Sequence, residues 1–245
     1  MKIVQKFIIL SSAIGMMAGI WSCGEDAYLP SPETARIRFF HAMADTSKFA
    51  ISLDDIQLGF LATPKLDTLK YGTAYPTDTS KYVSIATGAR NVKITSFFKP
   101  GTALNELNVT AEKGKSYFVF ATDSLSKVGS LVLEDVYSTP KPSIANVRFV
   151  NLVPNRPQFD VSLSGGAVNI NAIDYKKSSA ITAVTVDSNA ARLNVKILKS
   201  GTQTSMLSLT QQRMSAGRSY TFVVYGYADS VGTKAIKGKL FENPF

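Results

Sequence analysis

The chain repeats itself. ARIRFFHAMADTSKFAISL, beginning at Ala35, aligns without a gap on ANVRFVNLVPNRPQFDVSL, beginning at Ala145. Ala35 meets Ala145, Arg38 meets Arg148, Phe39 meets Phe149, Phe49 meets Phe159 and Leu53 meets Leu163. Farther on, ARNVKI from Ala89 answers ARLNVKI from Ala191, and GKSYFVF from Gly114 answers GRSYTFV from Gly217. Such self-similarity is the mark of one structural unit used twice, so a fold that serves one copy must serve the other. STPKPS, from Ser138 to Ser143, stands between the copies and reads as a semi-rigid linker. The expected division is residues 35–139 for the first copy, 140–143 for the linker and 144–245 for the second. At about 100 residues, each copy is large enough for one hydrophobic core and is expected to fold alone.

The periodicity inside each copy is that of strands. Ile37, Phe39 and His41 fall on one face and Arg36, Arg38 and Phe40 on the other; Val147, Phe149 and Asn151 repeat this against Arg148 and Val150. Alternating runs rich in β-branched and aromatic residues follow at Phe49 to Leu53, Val92 to Phe97, Tyr117 to Thr122, Leu193 to Leu198 and Tyr220 to Tyr225. Turn chemistry such as FFKPGTALN and LKSGTQTS separates them. No stretch of helical length carries a 3.6-residue period. The sequence therefore predicts an all-β chain of two tandem antiparallel β-sandwiches, immunoglobulin- or transthyretin-like.

RIRFFHA and NVRFVNL, followed by FAISLDD and FDVSLSGG and then LKYGTAY, YVSIATGARNVKI and GRSYTFVVYG, resemble the domain of unknown function 4397 family. The resemblance implies β-sandwich modules of secreted and envelope proteins with no defined activity, so it assigns no functional residue. The copies differ at polar positions: Ala50 stands where the second copy has Asp160, Asn151 replaces His41, and Ala190 replaces Gly88.

Residues 1–22 read as a secretory signal peptide: Lys2 and Lys6 precede an apolar run from Phe7 to Trp21, which is shorter than the roughly 20 residues that span a bilayer. Ile20, Trp21, Ser22 and Cys23 resemble a bacterial lipobox, which makes Cys23 the candidate lipidation site and the membrane a partner through that lipid. As the lone cysteine it can form no internal disulfide and no multi-cysteine metal site. Glu25 and Asp26 resemble the surface-export signal of Bacteroidetes lipoproteins. The expected location is the bacterial outer membrane, on its periplasmic or surface-exposed face. Residues 23–34 then form a tether of roughly 30 Å if extended, with the second copy expected to be the membrane-distal one.

Catalytic chemistry is absent as a motif. His41 is the only histidine and no serine stands in a nucleophile elbow. Its replacement by Asn151 points to a hydrogen-bonding residue at a strand end. Asp54 and Asp55 are adjacent, which in extended chain sends their carboxylates to opposite faces, and a solvated turn is the expected role; Glu134 and Asp135 meet the same objection. No phosphate loop, dinucleotide fingerprint, cofactor or metal set is expected.

Softer signals concern the surface. Asp67-Thr68-Leu69, Asp123-Ser124-Leu125 and Asp229-Ser230-Val231 resemble the O-glycosylation signature of Bacteroidetes envelope proteins, making Thr68, Ser124 and Ser230 candidates, although Asp-Ser is also a good turn former. Tyr71, Tyr75, Tyr82, Tyr225 and Tyr227 offer either a sugar-stacking platform or half-buried strand positions. The first copy holds 12 basic against 10 acidic residues and the second 12 against 5, net +2 and +7. If Lys196, Lys199, Arg213, Arg218, Lys234, Lys237 and Lys239 share a face, they would attract an anionic polymer. The expected function is a non-enzymatic, lipid-anchored envelope protein that binds carbohydrate or another envelope protein, nucleic acid being the weakest candidate. A fimbrial subunit is one alternative, and an enzyme acting on glycan or peptide another.

Overall fold

The computed structural model describes residues 34–58, 68–78, 80–99, 101–135, 140–164, 168–186 and 190–243; Cys23 and the leader lie outside them. The first copy contributes β1 (Thr34–His41), β2 (Lys48–Leu53), β3 (Ile56–Gln57), β4 (Leu69–Lys70), β5 (Ala74–Tyr75), β6 (Val83–Ala86), β7 (Gly88–Ser96), β8 (Ala103–Ala111), β9 (Ser116–Ser124) and β10 (Lys127–Glu134). The second contributes β11 (Ile144–Leu152), β12 (Gln158–Leu163), β13 (Val168–Asp174), β14 (Thr182–Thr185), β15 (Ala190–Lys199), β16 (Ser205–Ser215), β17 (Ser219–Tyr225) and β18 (Lys237–Asn243). A single 3-10 turn at Gly232–Lys234 is the one helical element among them.

Each copy is a sandwich of two sheets. One sheet runs β10-β9-β1-β5, with β6 also on β1, and packs on β3-β2-β7-β8, with β4 on β2. In the second copy β14-β11-β17-β18 packs on β13-β12-β15-β16. Among the described residues every ladder stays within one copy. The ladders are antiparallel except two: β1 runs parallel to β9 and β11 parallel to β17. Consecutive strands β1 and β2, like β11 and β12, lie in opposite sheets, whereas a constant immunoglobulin domain keeps its first two strands in one sheet. The arrangement thus departs from the immunoglobulin strand order. The β2–β3 hairpin turns on Asp54 and Asp55 at φ 50° and 64°, the left-handed pair of a type I′ turn, with both carboxylates on surface cations.

The aligned positions become equivalent core positions. Ile37, Phe39, Phe49 and Ile51 fill one sandwich, and Val147, Phe149, Phe159 and Val161 the other. A third apolar layer was not expected. Phe40, Phe118 and Phe120 of the first copy pack on Val150, Val223, Tyr225 and Phe241 of the second, so the inner sheets stack face to face and four sheets lie in succession. Phe241 meets Phe40 and Phe118 edge-on at 5.4 and 5.0 Å. The alternation in RIRFFHA therefore has no solvent face: Arg36, Arg38 and Arg148 are 6, 1 and 6 % exposed.

Their charges are met at the seam. Arg38 Nη1 donates to the Glu242 carbonyl at 3.1 Å and Nη2 to Asn243 Oδ1 at 2.6 Å. Arg148 makes the matching bonds to the first copy, donating Nη1 to the Glu134 carbonyl at 2.8 Å and Nη2 to Asp135. Glu134 pairs with Tyr117 as Glu242 pairs with Tyr220, so the contacts are related by a pseudo-two-fold axis. Asp135 also accepts from Arg38 at 3.2 Å and from the Tyr82 hydroxyl. Asp135 is thus buried rather than solvated: an unpaired carboxylate would not be buried, but this one has cationic donors from both copies. At the other end of the strands Asp45 meets Tyr227 and Lys234. Like ends therefore meet, and the second copy stands beside the first rather than beyond it.

Candidate functional site

A cleft of about 760 Å³ lies on the outer sheet of the second copy. Period-2 alternation builds its floor: Phe159, Val161, Val195 and Ile197 point into the core, which leaves Asp160, Ser162 and Lys196 on the outer face. Asn169 and Asn171 on β13 form one lip, and the β15–β16 turn with Gly201 and Gln203 forms the other. Asp160 ties them together. Its Oδ1 accepts from the Ala172 N–H at 2.7 Å and the Ser200 hydroxyl at 3.0 Å, and Oδ2 from the Gly201 N–H at 2.8 Å. Burial alone would raise this carboxyl, but these donors hold it below the usual carboxylate range. The bond to Ala172 also fixes a residue at φ 52° opposite the register shift between Phe159 and Val161.

Ser162, Asn171, Lys196 and Gln203 make no side-chain hydrogen bond or ion pair within the described protein, so their donors and acceptors are open to a ligand. The first copy has Ala50 in place of Asp160, and there a lip-to-lip tie has no carboxylate to build on.

The seven basic residues do not share one face. Lys196 lines the cleft, and Lys199 and Arg213 are exposed on the same sheet. Arg218 pairs with Glu242 at 3.3 Å at the strand-start end. The remaining three serve the seam: Lys234 binds Asp45 at 2.9 Å, Lys237 lies over the Tyr71 ring at 5.2 Å, and Lys239 donates to the Gly72 carbonyl at 3.1 Å. Burial against Phe40 and Phe241 lowers the Lys239 pKa.

Of the candidate modification sites, Ser230 is exposed beside Val231, Thr68 is half-buried before β4, and Ser124 sits at the end of β9 with its hydroxyl 2.9 Å from that of Ser126. Tyr71, Tyr82 and Tyr225 pack in or against the seam rather than on a platform. His41 is buried against Phe49 at 4.1 Å, and desolvation draws its pKa from 6.5 to about 3. His41 Nδ1 accepts from the Met43 N–H at 3.2 Å, as Asn151 Oδ1 accepts from the Val153 N–H at 3.0 Å. The shared duty is to turn the chain at the end of the first strand. No group of three or more His, Cys, Asp and Glu side chains suited to hold a metal occurs among the described residues. Sequence reasoning missed the Arg38–Asp135–Arg148 cluster; an arginine at the same place in both copies of an apolar strand was its available signal.

The family model described as Domain of unknown function (DUF4397) matches residues 35–162 and again residues 145–244. The first match runs into the opening strands of the second copy. No curated protein matches the sequence. One solved structure, a family 26 carbohydrate-binding module of Eubacterium rectale Amy13K in complex with maltoheptaose, aligns over 86% of this chain and 98% of its own. Its identity is 9% and its TM-score 0.25, too low to bear on the fold or on what this chain binds.

Proposed function

The chain belongs to the DUF4397 family, a family described without an activity, and from the chemistry of its cleft we propose that it is a non-catalytic binding module of the bacterial cell envelope. The ligand class is a polyhydroxylated one, a glycan. The observation that carries this reading is the set Ser162, Asn171, Lys196 and Gln203, polar groups without partners across a cleft whose lips Asp160 ties together. Sugar hydroxyls both donate and accept, and such a set of mixed donors and acceptors suits them. The cleft's size lies within the range of small-molecule sites, about 300–1,000 Å³. Asp160 has its oxygens engaged by three donors, so it serves as a tie between the lips rather than as a general base.

In this reading acylated Cys23 holds the protein on the outer membrane. The β15–β16 turn lies at the opposite end of the strands from Thr34, where the tether enters, so the cleft opens away from the anchored end. The test is a glycan array probed with the whole chain and with an Asn171→Ala, Gln203→Ala double variant. Retention on a neutral or amino-sugar glycan that the double variant loses, at unchanged melting temperature, supports the proposal. Absence of glycan retention, or retention that the double variant keeps, rejects it.

A further inference from the structure

The two copies also leave a crevice at their tether-distal ends, of about 460 Å³. One wall is the β9–β10 turn of the first copy, with Asp123, Ser124 and Lys127. The other comes from the second copy and holds Pro154, Tyr175 and Tyr227. The polar groups that fix these walls are already engaged. The Tyr175 hydroxyl donates to Asp123 and lies 3.2 Å from Thr122 Oγ1, while Lys176 pairs with the second Asp123 oxygen. Gly129 leaves the space this requires, because a Cβ there would overlap Asp123 and Lys176. The Tyr227 hydroxyl donates to Asp45 at 2.7 Å, and Lys234 binds the same carboxylate. With both phenols committed, what the tyrosines offer a ligand is ring surface.

The charges leave a remainder. Asp123 is matched by Lys176 and Asp45 by Lys234, whereas exposed Lys127 has no ion-pair partner among the described residues. A ligand that completes the crevice must bring a flat, partly apolar body and one negative charge. A pyranose ring lays C–H groups on an aromatic face, and its acidic substituent answers an ammonium. We propose that the crevice between the copies is a binding site for an acidic sugar residue, its ring against Tyr175 and Tyr227 and its anionic group on Lys127. Residues of both copies are needed to build it, which gives the fused seam a purpose beyond stability. The inference stands apart from the outer cleft, with which it shares no residue.

The test is calorimetric titration of the whole chain, solubilised in detergent, with an oligogalacturonide, with glucose 6-phosphate and with neutral maltotriose. The expected result is binding of the oligogalacturonide that weakens as salt rises, and that Lys127→Glu reduces at least tenfold without moving the melting temperature. Binding of glucose 6-phosphate instead, with the same response to Lys127→Glu, supports the site and assigns a phosphate as the anion. Equal binding of maltotriose that the Asn171→Ala, Gln203→Ala variant keeps, no binding of either acid, or acid binding indifferent to Lys127→Glu overturns the proposal. Acid binding lost in Lys196→Ala but kept in Lys127→Glu places the ligand in the outer cleft and also overturns it. The glycan array with the Asn171 and Gln203 variant reads the cleft independently, so either site can fail alone.

Discussion

Replacing Asp135 by Asn keeps the shape of the side chain and one acceptor oxygen but removes the carboxylate that two buried guanidinium groups share. Breaking a buried ion pair from one side costs about 3–5 kcal/mol, because the remaining charge stays desolvated. Here Arg38 keeps the Glu242 carbonyl, Asn243 Oδ1 and a stack 3.9 Å over Phe118. These contacts set the expectation at the lower end, about 3 kcal/mol. For a chain of this size each kcal/mol moves the melting temperature by about 2–4 °C, so a fall of about 6–12 °C is expected. The pseudo-symmetry supplies a sharper test. Asn243 already lies 2.6 Å from Arg38, and Asn243→Asp returns a carboxylate to the equivalent position of the other copy. The double variant, Asp135→Asn with Asn243→Asp, is expected to regain about half of the loss or more, about 1.5 kcal/mol relative to Asp135→Asn alone, a size typical of neighbours in one network. Urea unfolding of wild type, both single variants and the double variant, followed by circular dichroism, closes the cycle. A loss below about 1 kcal/mol for Asp135→Asn would refute the buried-charge argument. An Asn243→Asp change that deepens the loss would refute the equivalence of the two positions.

Residues 34–135 and 140–243 expressed separately would expose Phe40, Phe118 and Phe120 on one piece and Val150, Val223 and Phe241 on the other; each is expected to bind a hydrophobic dye and to associate, and two dye-silent monomers would sink the shared-layer account. His41 has a folded pKa near 3 against 6.5 when free, so the unfolded chain takes up the proton first. Stability held above pH 6.5 is then lost as the pH falls toward 3, at a limiting slope of about 1.4 kcal/mol per pH unit. His41→Asn, the residue of the second copy, should flatten that part of the stability-versus-pH curve; an unchanged slope contradicts the assignment. Cys23→Ala is expected to abolish labelling by a fatty-acid analogue and to release the protein from the membrane fraction, and membrane retention in that variant counts against the anchor.

The sandwiches were legible because the signals that make them are local. Phe49 and Ile51, like Val195 and Ile197, recur at every second position, and this spacing, the Asp54-Asp55 turn and the in-phase repetition of the strands need no knowledge of the partner sheet. The role shared by His41 and Asn151 was legible for the same reason, since each accepts from the N–H two residues on. The parallel pairing of β1 with β9 was not, because nothing within Ala35 to His41 distinguishes a parallel neighbour some eighty residues away from an antiparallel one nearby. The seam was missed for a related reason: an arginine between apolar residues ordinarily marks the wet face of a strand. What keeps Arg38 and Arg148 dry is the Asp135 carboxylate they share and, for each, a carbonyl that arrives from the last strand of the opposite copy, a coincidence of distant segments in space. The cleft lies between these cases. Asp160 was visible as a polar difference between otherwise matched copies, yet its role needs Ala172 and Gly201, which follow it by one strand and three strands. A carboxylate present in one copy and absent from its duplicate is thus a pointer to asymmetric use of a symmetric scaffold: the seam requires both inner sheets to remain alike, while the outer sheets, free of that requirement, can diverge.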